Sequence, residues 1–170
     1  MKDTLGNFAI HRACESATDT LAKVMLLVKR DADHIHRRGY LNITPLMLVK
    51  CNATLEYLLQ QGAQVHDIDD RGHSALYWAS FNNNLFCINT FLKYGADVNG
   101  SDNNGNTHLH HGAFYANLEV IKALVASPEC DVDLENNKGQ TALDVARSKP
   151  HYYIDYEPVI EYLENINSSL

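Results

Sequence analysis

The sequence predicts an all-α stack of helix-turn-helix units joined by hairpin-like loops, and three observations predict it. A short phrase recurs five times: Gly6-Asn7-Phe8-Ala9-Ile10-His11, Asn42-Ile43-Thr44-Pro45-Leu46-Met47, Gly72-His73-Ser74-Ala75-Leu76-Tyr77, Gly105-Asn106-Thr107-His108-Leu109-His110 and Gly139-Gln140-Thr141-Ala142-Leu143-Asp144. The steps between copies are 36, 30, 33 and 34 residues, a period that marks one supersecondary unit repeated rather than a globule with a single centre. Each copy also opens an apolar run, and a second run with helical spacing follows it.

The unit from Asp69 to Asn99 shows the logic. Asp69-Asp70-Arg71-Gly72 is polar and punctuated by glycine, so it reads as a turn. Ser74 is a candidate N-cap for a first helix through Ala75-Leu76-Tyr77-Trp78-Ala79. Asn82-Asn83-Asn84 breaks that helix. Leu85, Ile88, Phe91 and Leu92 then fall on one face of a second helix, and Gly95 stops it. Helices of about nine residues are marginal alone, so neighbouring units must share apolar faces.

Thr44-Pro45-Leu46, Leu58-Leu59-x-x-Gly62-Ala63, Gly95-Ala96-Asp97-Val98-Asn99 and Thr107-x-Leu109-His110 together resemble the ankyrin repeat. The resemblance runs from about Asp3 to Asn165. It implies a single domain over residues 1–170, with repeats at about 3–37, 38–66, 67–99, 100–133 and 134–166. It also implies that His110 and His11 hydrogen-bond neighbouring loops, and that His108 stands where the family usually carries Pro. Asn99 falls at a position that can be a target of asparaginyl hydroxylation.

Several copies depart from the pattern. Repeat two is about three residues short around Lys50-Cys51-Asn52-Ala53, and Asn42 replaces its glycine as the next most tolerant residue of positive φ. Repeat one carries extra residues at Glu15-Ser16-Ala17-Thr18. In repeat five the stretch Ser148 to Pro158 is about five residues too long, before a last helix from about Pro158 to Asn165.

Composition excludes several classes. No apolar run approaches the 18 or more residues of a membrane span, and no signal peptide is expected after Met1-Lys2-Asp3-Thr4. Cys14, Cys51, Cys87 and Cys130 lack any CxxC pair and suit reduced thiols in the cytoplasm, with the nucleus an alternative. The net charge of −7 divides into +3 over residues 1–50 and −10 over residues 51–170. The basic part centres on Lys29, Arg30, Arg37 and Arg38. This is either an uneven solvated surface or a dipole that orients a partner. It is not the basic stripe that nucleic acid requires.

Catalysis is not expected: there is no Gly-rich phosphate loop, GxSxG or HExxH. Carboxylates such as Asp69 and Asp70 are expected on open loop tips. No cofactor and no metal site are assigned. The alternative of another class is a metal-binding protein using His108 and His111, three residues apart on one helix, with Asp102 in reach.

What remains is a non-enzymatic protein–protein interaction module, monomeric when free. The resemblance implies a concave face of loop tips and first helices. The candidate residues are Arg37, Arg38 and Tyr40 on the first tip, Asp70, Arg71 and His73 on the second, Asn104 and Asn106 on the third, and Lys138 on the fourth. Phe81, Phe114 and Tyr115 end the first helices of repeats three and four, either as an exposed aromatic patch or as packing between repeats. Tyr77 and Trp78 read as core. Tyr153, in the loop with Tyr152 and Tyr156, is either a binding residue or part of a cap. The resemblance also admits an adaptor or inhibitor of a signalling complex, like IκB, or a microbial or viral effector in a host cytoplasm.

Overall fold

The computed structural model describes residues 7–16, 20–149 and 154–167. Among them are nine α-helices: α1 (Ala9–Glu15), α2 (Thr20–Arg30), α3 (Asn52–Gln60), α4 (Ala75–Phe81), α5 (Leu85–Lys93), α6 (His108–Phe114), α7 (Leu118–Val125), α8 (Ala142–Arg147) and α9 (Glu157–Asn167). They form two rows. The first helices make one row, in which α1 and α4 both pack on a 3-10 turn at Pro45–Leu48, α4 packs on α6 and α6 on α8. The second helices make the other row, α2, α3, α5, α7 and α9, each on the next.

Local signals set each unit. In repeat three, the Ser74 hydroxyl accepts from the Tyr77 amide and starts α4. Asn82 ends that helix, Asn83 turns the chain with φ 53°, and the Asn84 side chain caps α5. Thr107 and Thr141 cap α6 and α8 in the same way, and Asn117 caps α7. Ile88, Phe91 and Cys87 are the buried face of α5; Leu85, read from spacing as part of that face, is 37% exposed at the helix start. The core is a continuous seam between the rows, including Ile10, Val24, Leu46, Leu55, Leu58, Leu76, Ile88, Ile121, Leu124 and Leu163.

Repeat two corrects the expectation of a uniform unit. Its first helix is no α-helix but the four-residue 3-10 turn Pro45–Leu48, after which Val49 is extended at φ −68°, ψ 130°. Three missing residues leave no room for a second turn before α3 must begin. Asn42 does adopt positive φ, at 63°, and Leu41 beside it does so too, at 53°.

The loops are tied to one another. The bridges Ile68–Ser74 and Ser101–Thr107 are the hairpin-like parts. Single backbone bonds link successive loop tips: Asp70 N–H to Leu41 O, Asn103 N–H to Arg71 O, and Asn137 N–H to Asn104 O, each 3.0 Å. Inside the second, third and fourth loops an acidic or amide side chain caps two amides. Asp69 Oδ1 takes those of Arg71 and His73, Asp102 Oδ1 those of Asn104 and Asn106, and Asn136 Oδ1 those of Lys138 and Gln140.

That close approach explains Gly105. Its φ is +76°, and a Cβ there would meet Asn137 Oδ1 at 2.5 Å and the Asn137 amide nitrogen at 2.8 Å. Gly95 has a similar φ of +81° with nothing within 4 Å. Gly95→Ala should therefore cost only the left-handed backbone strain, about 1–2 kcal/mol. Gly105→Ala should cost measurably more, about 2–3 kcal/mol, because the next loop must also shift. Urea denaturation of both variants checks the order.

Candidate functional site

Phe81, Phe114 and Tyr115 close the first helices of repeats three and four. Their relative exposures of 51%, 44% and 48% settle the patch in favour of surface rather than inter-repeat core. The rings touch: Phe81 meets Tyr115 edge-on at 5.6 Å between centroids, and Tyr115 meets Phe114 at 5.0 Å. Trp78 and Tyr77 stand behind Phe81 at 6.1 and 6.2 Å and are half-buried. Lys149 lies 3.4 Å above the Phe114 ring. Burial, and then the charge of Lys138, hold the Lys149 ammonium below the usual lysine range.

Phe114 and Tyr115 form one wall of a groove of about 490 Å³. Its other walls include Asn104, Asn106, His110, His111, Lys138, Gln140, Val145, Ser148 and Lys149. The groove thus joins the aromatic ledge to the third and fourth loop tips. Lys149 and Val145 were not expected from the sequence, because Lys149 reaches Phe114 only through the packing of α8 on α6.

The other candidates fall into two groups. Tyr40, Asp70, Arg71, Asn104 and Lys138 are exposed at loop tips, with Tyr40 at 59%. The rest are engaged within the chain. Arg37 pairs with Asp31 at 3.1 Å and stacks over Phe8, and Arg38 pairs with Asp67 at 2.6 Å and donates to Ile68 O. The two arginines therefore brace the first loop. The Asn106 amide donates to Asp102 Oδ2 and accepts from Asn136. His73, expected on an open tip, is buried, its ring stacked on Tyr77 at 3.7 Å. Asp69 is buried as well, holding its loop and the Trp78 indole N–H. Tyr153 and Tyr152 lie outside the described residues. Tyr156 from the same loop is buried and donates to Phe114 O, so that tyrosine is part of the cap.

The histidines divide by role. His110 Nε2 donates to Gln140 O at 2.7 Å and His11 Nε2 to Ile43 O at 2.9 Å, each reaching the next loop as the resemblance implied. His108 and His111 do not come together as a metal-binding pair. His108 Nδ1 donates to Val98 O and its Nε2 accepts from the Ser74 hydroxyl, so both ring nitrogens are engaged. Burial pushes the His108 pKa down to about 4. His111 turns the other way, to Asp102 Oδ2 at 3.1 Å. Burial lowers the His111 pKa against the pull of that carboxylate. Burial works against the Asp102 carboxylate in turn, but Asn106, Asn104 and His111 outweigh it and hold it below the usual range.

No activated thiol emerges at the buried Cys14 and Cys87 or at the half-buried Cys130. Burial raises Cys14 to about 12 and Cys87 and Cys130 to about 11. Asn99 spends both ends of its amide on the following loop, donating to Glu129 O and accepting from the Asp131 amide.

Two rows of short helices, capped alike and joined by hydrogen-bonded loops, define a repeat solenoid. The sequence model of the family described as ankyrin repeats, in three copies, matches residues 10–102, and the chain belongs to the ankyrin-repeat family. Among curated proteins it is similar to neurogenic locus notch homolog protein 1 from human and from mouse, each 30% identical over 96 residues, and from Xenopus laevis, 29% identical over 96. The match covers 55% of this chain and 4% of each of those proteins. Ankyrin repeats are generally protein–protein interaction modules, and the family is typically non-catalytic. Among the described residues, no helix is long and apolar enough to cross a membrane.

Proposed function

We propose that this chain binds one partner protein, without catalysis, through the ledge of Phe81, Phe114 and Tyr115 and the groove beside it. The observation that carries the reading is three large rings in mutual contact, each 44% or more exposed, on adjacent first helices. Aromatic anchors flanked by polar side chains dominate the energetics of protein interfaces. Asn104, Gln140, Lys138 and Lys149 supply polar groups and positive charge along the groove, which suits a partner segment with an apolar anchor and acidic or amide neighbours. Arg37 and Arg38 serve the first loop instead. The partner-bound state would make the chain an adaptor or inhibitor in the cytoplasm, monomeric when free.

The test is comparative affinity purification from the native cell, with mass spectrometry and then measured affinity. The triple variant Phe81→Ala, Phe114→Ala, Tyr115→Ala should lose the partner, each ring contributing about 2 kcal/mol, or roughly thirtyfold in affinity. Its melting temperature should change little. Leu26→Ala, on the second-helix row and 69% exposed, should retain the partner. Equal capture by all three proteins would overturn the assignment.

A further inference from the structure

His73, Asp102 and His111 reach one point from two repeats: the turn before α4, the turn before α6 and the first part of α6 itself. A ligand atom from each lies within 4.8 Å of the other two. They share a small void of about 10 Å³, also edged by Gly72, Tyr77 and Gly100, close to the space a single water or ion fills.

The cluster is buried and incompletely satisfied. The His73 side chain is 10% exposed and that of Asp102 5%, while His111 is 18% exposed. The Nδ1 of His73 has no hydrogen-bond partner among the described residues, although Asp69 Oδ2 stands 3.4 Å away. Buried polar atoms without partners are few in folded proteins and call for an explanation. Asp102 is held from behind, its Oδ1 fixed by the Asn104 and Asn106 amides at 2.8 and 2.9 Å, so Oδ2 is presented rigidly.

We propose that His73, Asp102 and His111 form a three-ligand site for one divalent transition-metal ion, zinc foremost. Two imidazole nitrogens and one carboxylate oxygen match the protein ligand set of an open zinc site, with a fourth position left for water or a partner's side chain. Nitrogen donors argue against calcium or magnesium, which take oxygen ligands. Zinc–ligand distances of roughly 2.0–2.2 Å bring tetrahedral ligands to about 3.3 Å from each other. His111 Nε2 and Asp102 Oδ2 already stand 3.1 Å apart, and a ring nitrogen of His73 within 4.8 Å of both completes the set with a small ring shift. On binding, neutral His111 changes tautomer: Nε2 gives up its proton as Nδ1 takes one up from solvent, and the cation takes the place of the Nε2 proton between ring and carboxylate. Asp69 behind His73, and Asn106 behind Asp102, orient the ligands in the outer shell. The ion would pin the loop of repeat three to the first helix of repeat four.

The test uses protein purified without a histidine tag, stripped with a chelator, and titrated with Co²⁺ and Zn²⁺ in the absence of any partner. One Co²⁺ per chain should give visible d–d absorption, bleached by one equivalent of Zn²⁺, and Zn²⁺ should raise the melting temperature. Loss of outer-shell groups alone weakens metal sites roughly 10–100-fold, so His73→Gln and His111→Gln should each weaken Zn²⁺ binding by at least about tenfold. The exposed His66→Gln should leave it unchanged. Circular dichroism confirms that each variant is folded, and Asp102→Asn, which keeps Oδ1 for the loop amides, supplies a third arm. Sub-stoichiometric binding, or binding that survives all three ligand variants, or equal loss in His66→Gln, overturns the site.

Discussion

Acidification from pH 7 to pH 4 should cost this protein about 3 kcal/mol of folding stability through His108 alone. The ring is 3% exposed and its pKa falls to about 4 from 6.5, chiefly through burial. Above pH 6.5 the residue is neutral in both folded and unfolded chains and the stability is intact. Between pH 6.5 and 4 the unfolded chain takes up a proton that the folded chain refuses, so stability falls with pH. Below 4 the folded ring is protonated too and the loss levels off. The refusal has a structural cause: a charged ring would be shut away from water, and the Val98 O bond, which favours the protonated form, offsets only part of that burial. His111, also lowered by burial, adds a smaller loss of the same sign. Urea denaturation at four pH values measures the slope. His108→Pro should flatten most of it, since a proline at the first position of α6 gives up no intrahelical hydrogen bond. An unchanged slope in that variant would place the titration elsewhere.

Ile88→Ala should destabilise by about 3–4 kcal/mol, within the 2–5 typical of a buried aliphatic cut to alanine. Ile88 is fully buried on α5, which packs on α4, α3 and α7. Helices α3 to α8 span only six to nine residues each and depend on their neighbours for stability. A cavity at Ile88 therefore weakens the interfaces on both sides of repeat three. Hydrogen exchange in α4 and α5 should accelerate with the loss of stability. Leu26→Ala, with its side chain mostly in solvent, should stay within about 0.5 kcal/mol of the parent.

What was legible in the sequence was what is local. The cap at Ser74, the positive φ of Asn42 and the break at Asn82 to Asn84 all depend on residues a few positions apart. Helix register put Phe81, Phe114 and Tyr115 at the ends of the first helices but left surface and inter-repeat packing both open, and only their exposure separates the two. What escaped was set by contacts about one repeat away or by length. His73 is roofed by Tyr77 and meets His111 of the next repeat. Arg38 is consumed by Asp67 and Ile68 across the loop. His108 and His111, adjacent on a helix wheel, were separated by Ser74 and Val98 on one side and Asp102 on the other. The 3-10 turn at Pro45–Leu48 reflects a deletion whose cost is borne by geometry rather than by any single residue.

The bonds joining Leu41 to Asp70, Arg71 to Asn103 and Asn104 to Asn137 are all between main-chain atoms. Spacing along the row of tips thus makes no use of the side chains of Arg71, Asn104 and Lys138, while Gly105 and the side-chain amides of Asn103 and Asn137 stay tied to it. Arg71, Asn104 and Lys138 are free to drift under selection for a new partner while the pitch they are mounted on stays constant. The protein can change what it recognises without relearning how to fold.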